Sequence, residues 1–420
     1  MKKIPLFTLS LLSVFVSVSC YATQDVVLNA NSLSDAQVSM NDDIGKTQVK
    51  IINTNQDNVA HIYYDRFNIN NDGLSLDNDK AELIINEVVS HESSELHGDL
   101  ELQGKKATVI IANPNGISCY DCSFSGIDDI KLISGSSVGK FSKEFTITDN
   151  PVDFAFVNKL PRNKLTHINR HDKDVSPKYI NIISNDITLD KGDFNAEYIR
   201  FDIGLDKFNL SYLNNYNSKG WLTIEPEATL NSRHLIIKGN SATVDNYGHI
   251  DTLSLNANVR SWWNHNGSII DLNRDINLYK TAYDDVKKSK LDISKGYSSH
   301  EESSFYVKDS ALFINAKNMT LFNDYIIENS YLISRVNNID INNITLNKSY
   351  LDVTSLNSIN IGGEIHGEGR VVLEGKKGNF NGKDKIALTG EELVELKGLP
   401  KFRLGTSTII DKKTSTVKIR

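Results

Sequence analysis

Ser310-Ala-Leu312, Ser330-Tyr-Leu332 and Ser349-Tyr-Leu351 follow one another at intervals of 20 and 19 residues. Eight residues after each serine stands an asparagine, Asn318, Asn338 and Asn357. Each asparagine leads into an alternating apolar pair: Met319 and Leu321, Ile339 and Ile341, Ile359 and Ile361. Upstream, Gly248 and Ile250 recur 19 residues later as Gly267 and Ile269. A unit of this length holds two or three short strands and cannot bury its apolar side by itself, so it must stack on its neighbours. The repeat therefore predicts an all-β chain, a right-handed parallel β-helix with one coil per repeat. Inward Ile and Leu side chains stack from coil to coil, and an Asn at a turn bonds the Asn of the next coil.

The rest of the sequence agrees with strands and turns. Val49 to Ile52, Ala107 to Ile111, His234 to Lys238 and Val371 to Leu373 are short β-branched runs bounded by Asn, Gly, Asp and Ser. Asn accounts for 46 of the 420 residues; it disfavours helix interiors and suits turns. Glu391 to Lys397 is the best helical candidate, and it is short. At roughly 20 residues and 4.8 Å per coil the rod would have roughly 20 coils and run to about 95 Å, less whatever forms extra-helical hairpins. Its open ends require caps, in particular an N-terminal one. The net charge of −7, with no basic block, argues against a nucleic-acid partner.

The N-terminus reads as an export signal. Lys2 and Lys3 precede an apolar run from Ile4 to Val18, and Ser19-Cys20-Tyr21-Ala22 offers a cleavage site near Ala22. The run is too short for a spanning helix. Cleavage removes Cys20 and leaves Cys119 and Cys122. A Cys-x-x-Cys pair in an exported chain reads first as a local disulfide, with free thiols and a metal site as the alternatives. There is no second Cys pair, so a four-ligand zinc site would have to recruit His61, His91 or His97. No metal and no cofactor is expected.

Ala107 to Ile111 runs into Asn113-Pro114-Asn115-Gly116-Ile117, and Cys119 and Cys122 follow at once. Pro114 fixes a turn, Asn115 and Gly116 tolerate positive φ, and Ile117 restarts a strand. This segment resembles the secretion domain of the filamentous haemagglutinin and haemolysin exoproteins, which are exported by two-partner secretion. That family carries an Asn-Pro-Asn-Gly-Ile motif, followed in one branch by Cys-x-x-Cys. Further likenesses lie upstream in the same order: Val59 to Asn70, containing Phe67-Asn68-Ile69, then Gly73 to Asn78, then Asn86-Glu87-Val88 with Leu96-His97-Gly98. Ile130 to Gly135 follows, and the likeness covers about residues 45–140. Two features depart from the family. Asn113-Pro114-Asn115 is the only such motif, Asn53-Thr54-Asn55-Gln56-Asp57 standing in the comparable upstream place, and 420 residues is short for exoproteins that usually continue into a long fibre.

The resemblance implies residues 1–22 as signal peptide, 23–250 as the secretion (haemagglutinin activity) domain and 251–420 as continuing β-helix repeats. It implies passage through the periplasm, recognition by an outer-membrane β-barrel transporter with periplasmic POTRA domains, and release outside or display on the cell surface. Asn113, Pro114, Asn115, Gly116 and Ile117 would be the signature, with Asn68 and Asn86 as secondary candidates. An adhesin or haemolysin activity, with a host-cell receptor or glycan as partner, is implied at the level of the family.

No nucleophile elbow, phosphate loop, His-Glu-x-x-His or dinucleotide fingerprint occurs, and we expect no enzyme and no catalytic residue. The competing reading is a secreted β-helical polysaccharide-active enzyme. Its acidic pairs would be Asp128-Asp129, Asp284-Asp285 and Glu301-Glu302, but neighbours on a strand face opposite ways. Asp172-Lys173-Asp174 lies in a charged stretch, Arg170 to Lys178, that reads as an exposed loop. Of Trp262-Trp263, one indole must point inward if the segment is a strand, and the other is free to meet a sugar.

Overall fold

The computed structural model describes residues 25–41, 45–156, 177–273, 288–299 and 303–375, and beyond them strands between 377 and 419. The expected signal peptide, Asp172 to Asp174, Asp284-Asp285 and Glu301-Glu302 lie outside the described residues.

The chain is a parallel β-helix. Along one side the strand Val59–Phe67 pairs in parallel with Leu83–Val88, then Thr108–Ala112, Asp129–Ile133, Tyr179–Ile183 and the long strand Asp186–Asp202. A second side runs from Ser94–Leu96 through Ile117–Tyr120 and Val152–Ala155 to the start of Asp186–Asp202. Near the N-terminus a third side adds Lys46–Ile51, Leu74–Asn78, Asp99–Gly104 and Ser123–Ser125. Successive coils along the first side are 19 residues apart between Tyr179 and Tyr198 but 50 apart between Asp129 and Tyr179. Insertions of this kind leave fewer coils than the uniform period would give.

Two extra pieces complete the rod. The N-terminal cap consists of Val26–Leu28, antiparallel to the end of Val59–Phe67, and the antiparallel hairpin of Ala36–Asn41 with Lys46–Ile51. Its outer edge meets no further strand among the described residues. An extra-helical antiparallel sheet, Gly135–Ser137, Glu144–Ile147 and Lys207–Asn209, lies outside the first side. Phe145, Ile147 and Phe208 cover outward Val59, Ile85, Ile110, Ile133 and Ile183, forming a second apolar cluster separate from the main core. A buried polar contact pins the hairpin. His61 Nδ1 accepts from the Phe141 N–H at 2.7 Å, and Nε2 lies 2.7 Å from Glu87 Oε2. Glu87 also accepts from the Ser137 N–H (3.0 Å) and Oγ (2.6 Å).

The repeat behaves largely as its spacing suggests. Ser330 Oγ accepts from the Ser310 N–H at 3.0 Å, and Ser349 Oγ from the Ser330 N–H at 3.1 Å, so the serines form a buried ladder. Asn338 Nδ2 donates to Asn318 Oδ1 at 2.9 Å. The third rung of that ladder is Ser358, whose Oγ reaches Asn338 Oδ1 at 3.0 Å, and Asn357 is exposed one position earlier. The last coil has one residue fewer before its serine, and the inward Ile359 holds the register. Upstream, Ile250 pairs with Ile270 and not with Ile269, because alternation puts Ile270 inward. Leu393–Lys397 is a strand, not a helix. It lies between Val371–Glu374 and Thr416–Ile419, and those two ladders outweigh the propensity of so short a segment.

Inside the rod a polar chain crosses the apolar stack. Asn246 Nδ2 donates to Asn264 Oδ1 at 3.1 Å, and Trp262 Nε1 donates to the same oxygen at 3.0 Å. Asn264 Nδ2 donates to Tyr297 Oη at 2.7 Å, which meets Tyr325 Oη at 2.8 Å. Trp262 is fully buried and Trp263 is 43 % exposed. Trp262→Ala is therefore expected to cost about 3–5 kcal/mol by opening a core cavity, and Trp263→Ala less than about 0.5 kcal/mol, read from urea midpoints.

In-register stacking also places Asp271 beside Asp251. Burial raises the Asp271 carboxyl to about 6, with Asp251 adding to the rise and Lys308 opposing it. A carboxyl raised by folding favours the fold below its unfolded value near 4, and that contribution fades as pH rises to about 6. Asp271→Asn should thus stabilise the chain by about 1 kcal/mol at pH 8, since the group is partly exposed, and by almost nothing at pH 3. Thermal unfolding at the two pH values checks this.

Candidate functional site

The Asn113 motif occupies the corner between the first and second sides. The Gly116 N–H donates to Asn113 O at 3.2 Å, closing a four-residue turn with Asn first, Pro second and Gly fourth. That order is the preference of a type I turn. Asn113 is fully buried, and its side chain is used in both directions. Nδ2 donates to Glu92 O (3.0 Å) and Ser94 Oγ (2.9 Å) in the preceding coil. Oδ1 accepts from the Asn115 N–H at 2.8 Å. Asn115 Nδ2 in turn donates to Ser90 O at 2.9 Å. On the other flank, Pro114 O accepts from Thr148 Oγ1 (2.8 Å) and Asn150 Nδ2 (2.7 Å), both in the following coil.

Gly116 has φ +100°, and a Cβ there would stand 2.9 Å from Pro151 O. Of the two residues expected to tolerate positive φ, only Gly116 uses it. Ile117 is buried and pairs with Ser94 below and Val152 above. The motif is thus a clamp across three coils, with only Pro114 and Asn115 half-buried at its surface.

Asn68 lies at the same corner nearer the cap, where Oδ1 accepts from the Glu95 N–H at 2.9 Å. Asn86 is elsewhere. It points into the core, accepting from Tyr64 Oη at 3.0 Å and donating to Ile110 O at 3.2 Å. In the folded rod these residues form no continuous outer surface. Asn55, in the upstream turn, accepts from the Asp57 and Val59 N–H groups, so it caps the entry to its strand.

Cys119 and Cys122 are paired across the next corner, with Cα atoms 5.3 Å apart. Asp121 between them takes φ +57°. His61 goes to Glu87, and among the described residues no group of three or more His, Cys, Asp or Glu could hold a metal. Asp128 and Asp129 meet Lys106 and Lys131 at 3.4 and 2.7 Å. Sequence reading missed the His61–Glu87 pin. Its partners come from a hairpin more than 45 residues away, and no spacing signals it.

A capped parallel β-helix with an extra-helical sheet and a three-coil Asn-Pro-Asn-Gly-Ile clamp defines a class of secretion-domain fold. Residues 27–273 match the model of the family described as "TPS secretion domain", and the chain belongs to that family. A hemolysin of Serratia marcescens is 30 % identical over 146 residues, 30 % of this chain and 9 % of that protein. The 16S rRNA endonuclease CdiA of Enterobacter cloacae is 32 % identical over 117 residues, 22 % of this chain and 4 % of that protein. The chain spans less than a tenth of the length of the curated relatives it matches. Among solved structures it is similar to the filamentous hemagglutinin secretion domain, with TM-score 0.40 and 15 % identity over 80 % of this chain and 99 % of that one. It is similar also to the HMW1 secretion domain from Haemophilus influenzae, with TM-score 0.40 and 13 % identity over 94 % of this chain and 99 % of that one.

Gly116→Ala, which meets both the φ and the Pro151 carbonyl, should lower stability by about 2–3 kcal/mol. Asn113→Ala should cost about 2 kcal/mol through the buried groups it leaves unpaired. Asn115→Ala, at the rim, should cost about half as much. Denaturant midpoints of the three variants measure the order.

Proposed function

We propose that this chain is the exported partner of a two-partner secretion pair. The observation that supports the reading is the family match over residues 27–273, which takes in the cap and the Asn113 clamp. In this reading residues 1–22 direct the chain to the periplasm and are removed near Ala22. Residues 23–250 then act as the secretion domain recognised by the POTRA domains of an outer-membrane β-barrel, and 251–420 follow as further coils. The Cys119–Cys122 pair closes as a disulfide in the oxidising periplasm or outside.

The clamp suits such a route. Its bonds need the coils before and after it, so it cannot form on a threaded chain. Asn113 to Ile117 are then offered to the transporter as extended chain, and strand addition is the contact mode that extended chain allows. Asn86, buried in the finished rod, is likewise accessible only before its coil closes. Outside, coils add one on another, and each addition opposes return. The released or surface-held rod serves adhesion or a haemolysin-like activity, and the reading includes no catalytic step.

Co-expression with a candidate two-partner transporter from the source genome tests the reading. Full-length mature chain should appear in the medium only when the barrel is present, and Asn115→Ala should reduce it at least tenfold. Trp262→Ala, destabilised more but far from the clamp, should reduce it less. Appearance in the medium without the barrel, or retention in the periplasm with it, overturns the proposal.

A further inference from the structure

The second side of the rod carries two exposed indoles on one outward face. Trp221 and Trp263 are 48 % and 43 % exposed, while Leu222, Val244 and Trp262 beside them point inward. Their relative position follows from the ladder. The Tyr247 N–H donates to Ile224 O at 2.8 Å, which in a parallel pairing sets Thr243 beside Trp221 and Asp245 beside Thr223. Thr243 then pairs with Ser261, and Asp245 with Trp263. The two indoles therefore stand two coils and two residues apart, about 12 Å between Cα atoms.

Between them the face presents Thr223, Thr243 and Asp245, all short, half-buried and able to hydrogen-bond, while Ser261 in the same column is buried. Towards the cap the same two outward columns continue with Thr188 and the carboxylates Asp153 and Asp186. Neither column carries a Lys or Arg between Asp153 and Ser298. Asp245 is held in place by His265, whose Nε2 lies 2.8 Å from Oδ1, and His265 stacks on Tyr247 at 3.8 Å.

We infer that this face is a binding site for a neutral oligosaccharide, with Trp221 and Trp263 as its two stacking platforms. A pyranose ring offers an apolar C–H face to an indole and hydroxyls at its rim to Thr and Asp. Rings in a chain repeat at roughly 5 Å, so about 12 Å places the two indoles under sugars two positions apart. An outward sheet face suits an extended chain of sugars. Asp153, Asp186 and Asp245, with no Lys or Arg in the two columns, disfavour uronates and sulfated glycans, because a polyanion lying along these columns would meet like charge. Both platforms lie outside the core, so replacing them leaves the coils intact. The inference rests on this surface alone and not on the export route.

Calorimetric titration of the purified chain tests it with three hexasaccharides: β-1,4-linked glucose, β-1,4-linked N-acetylglucosamine and α-1,4-linked galacturonic acid. At least one neutral hexasaccharide should bind, and the acidic one at least tenfold more weakly. Trp221→Ala and Trp263→Ala should each weaken binding at least tenfold and together abolish it, with circular dichroism and urea midpoints unchanged. The absence of binding to both neutral sugars overturns the inference, as does undiminished binding by the folded double variant or preference for the acidic sugar. No transporter takes part in the titration, so its failure leaves the export reading standing.

Discussion

The strands of the rod find their backbone partners in neighbouring coils, most of them in both the coil before and the coil after. That dependence organises the rest of the molecule. A coil has no stability of its own, and any edge it leaves unpaired is a template for another chain. The cap turns the chain antiparallel at Val26–Leu28 and folds the Ala36–Asn41 hairpin over the first coil. Where the outer surface of the first side is apolar, at Ile85, Ile110, Ile133 and Ile183, the chain covers it with an extra-helical sheet. The covering sheet could have been attached by apolar contact alone. Instead His61 and Glu87, both buried, are bonded to its backbone, which fixes where it sits.

The corners answer the same dependence. A corner must break the ladder, and its free backbone groups need partners. Asn113 serves both neighbouring coils at once, through its own amide and through the turn that exposes Pro114 O to Thr148 and Asn150. The Asn113 motif thus marks a place where three coils must agree. In the function proposed above, recognition by a transporter and closure of this corner use the same residues at different times, so the folded form would hide what the extended form displays.

What the sequence reveals follows from how local each feature is. The serine ladder at 310, 330 and 349 was legible because adjacent coils carry the same residue at the same step. Asn357 misled, because a one-residue shortening before it moved the ladder position to Ser358 without changing the pattern of inward isoleucines. Glu391 to Lys397 misled for the opposite reason: its local composition suits a helix, and only pairing with 371–374 and 416–419 makes Leu393–Lys397 a strand. The inward and outward division of Trp262 and Trp263 was legible from alternation alone. The Asn113 motif was legible as a turn, but its bonds to Ser90, Glu92 and Asn150 come from other coils and left no trace in the spacing. The division of the two indoles' outer face into platforms and hydroxyls needed the register across insertions, which sequence does not supply.

The polar chain of Asn246, Asn264, Tyr297 and Tyr325 has a bearing on growth. In a core built only of Ile, Leu and Val, a new coil displaced by two residues would bury almost the same surface as a correct one. With the chain present, such a displacement would set an amide or a phenol against aliphatic neighbours and leave it dry and unbonded, a cost of about 1–3 kcal/mol at each misplaced group. A rod that lengthens from one end has no later chance to re-thread an earlier coil. The buried amides and phenols act as alignment keys, rejecting a slipped coil while it is still the last one and can still come off.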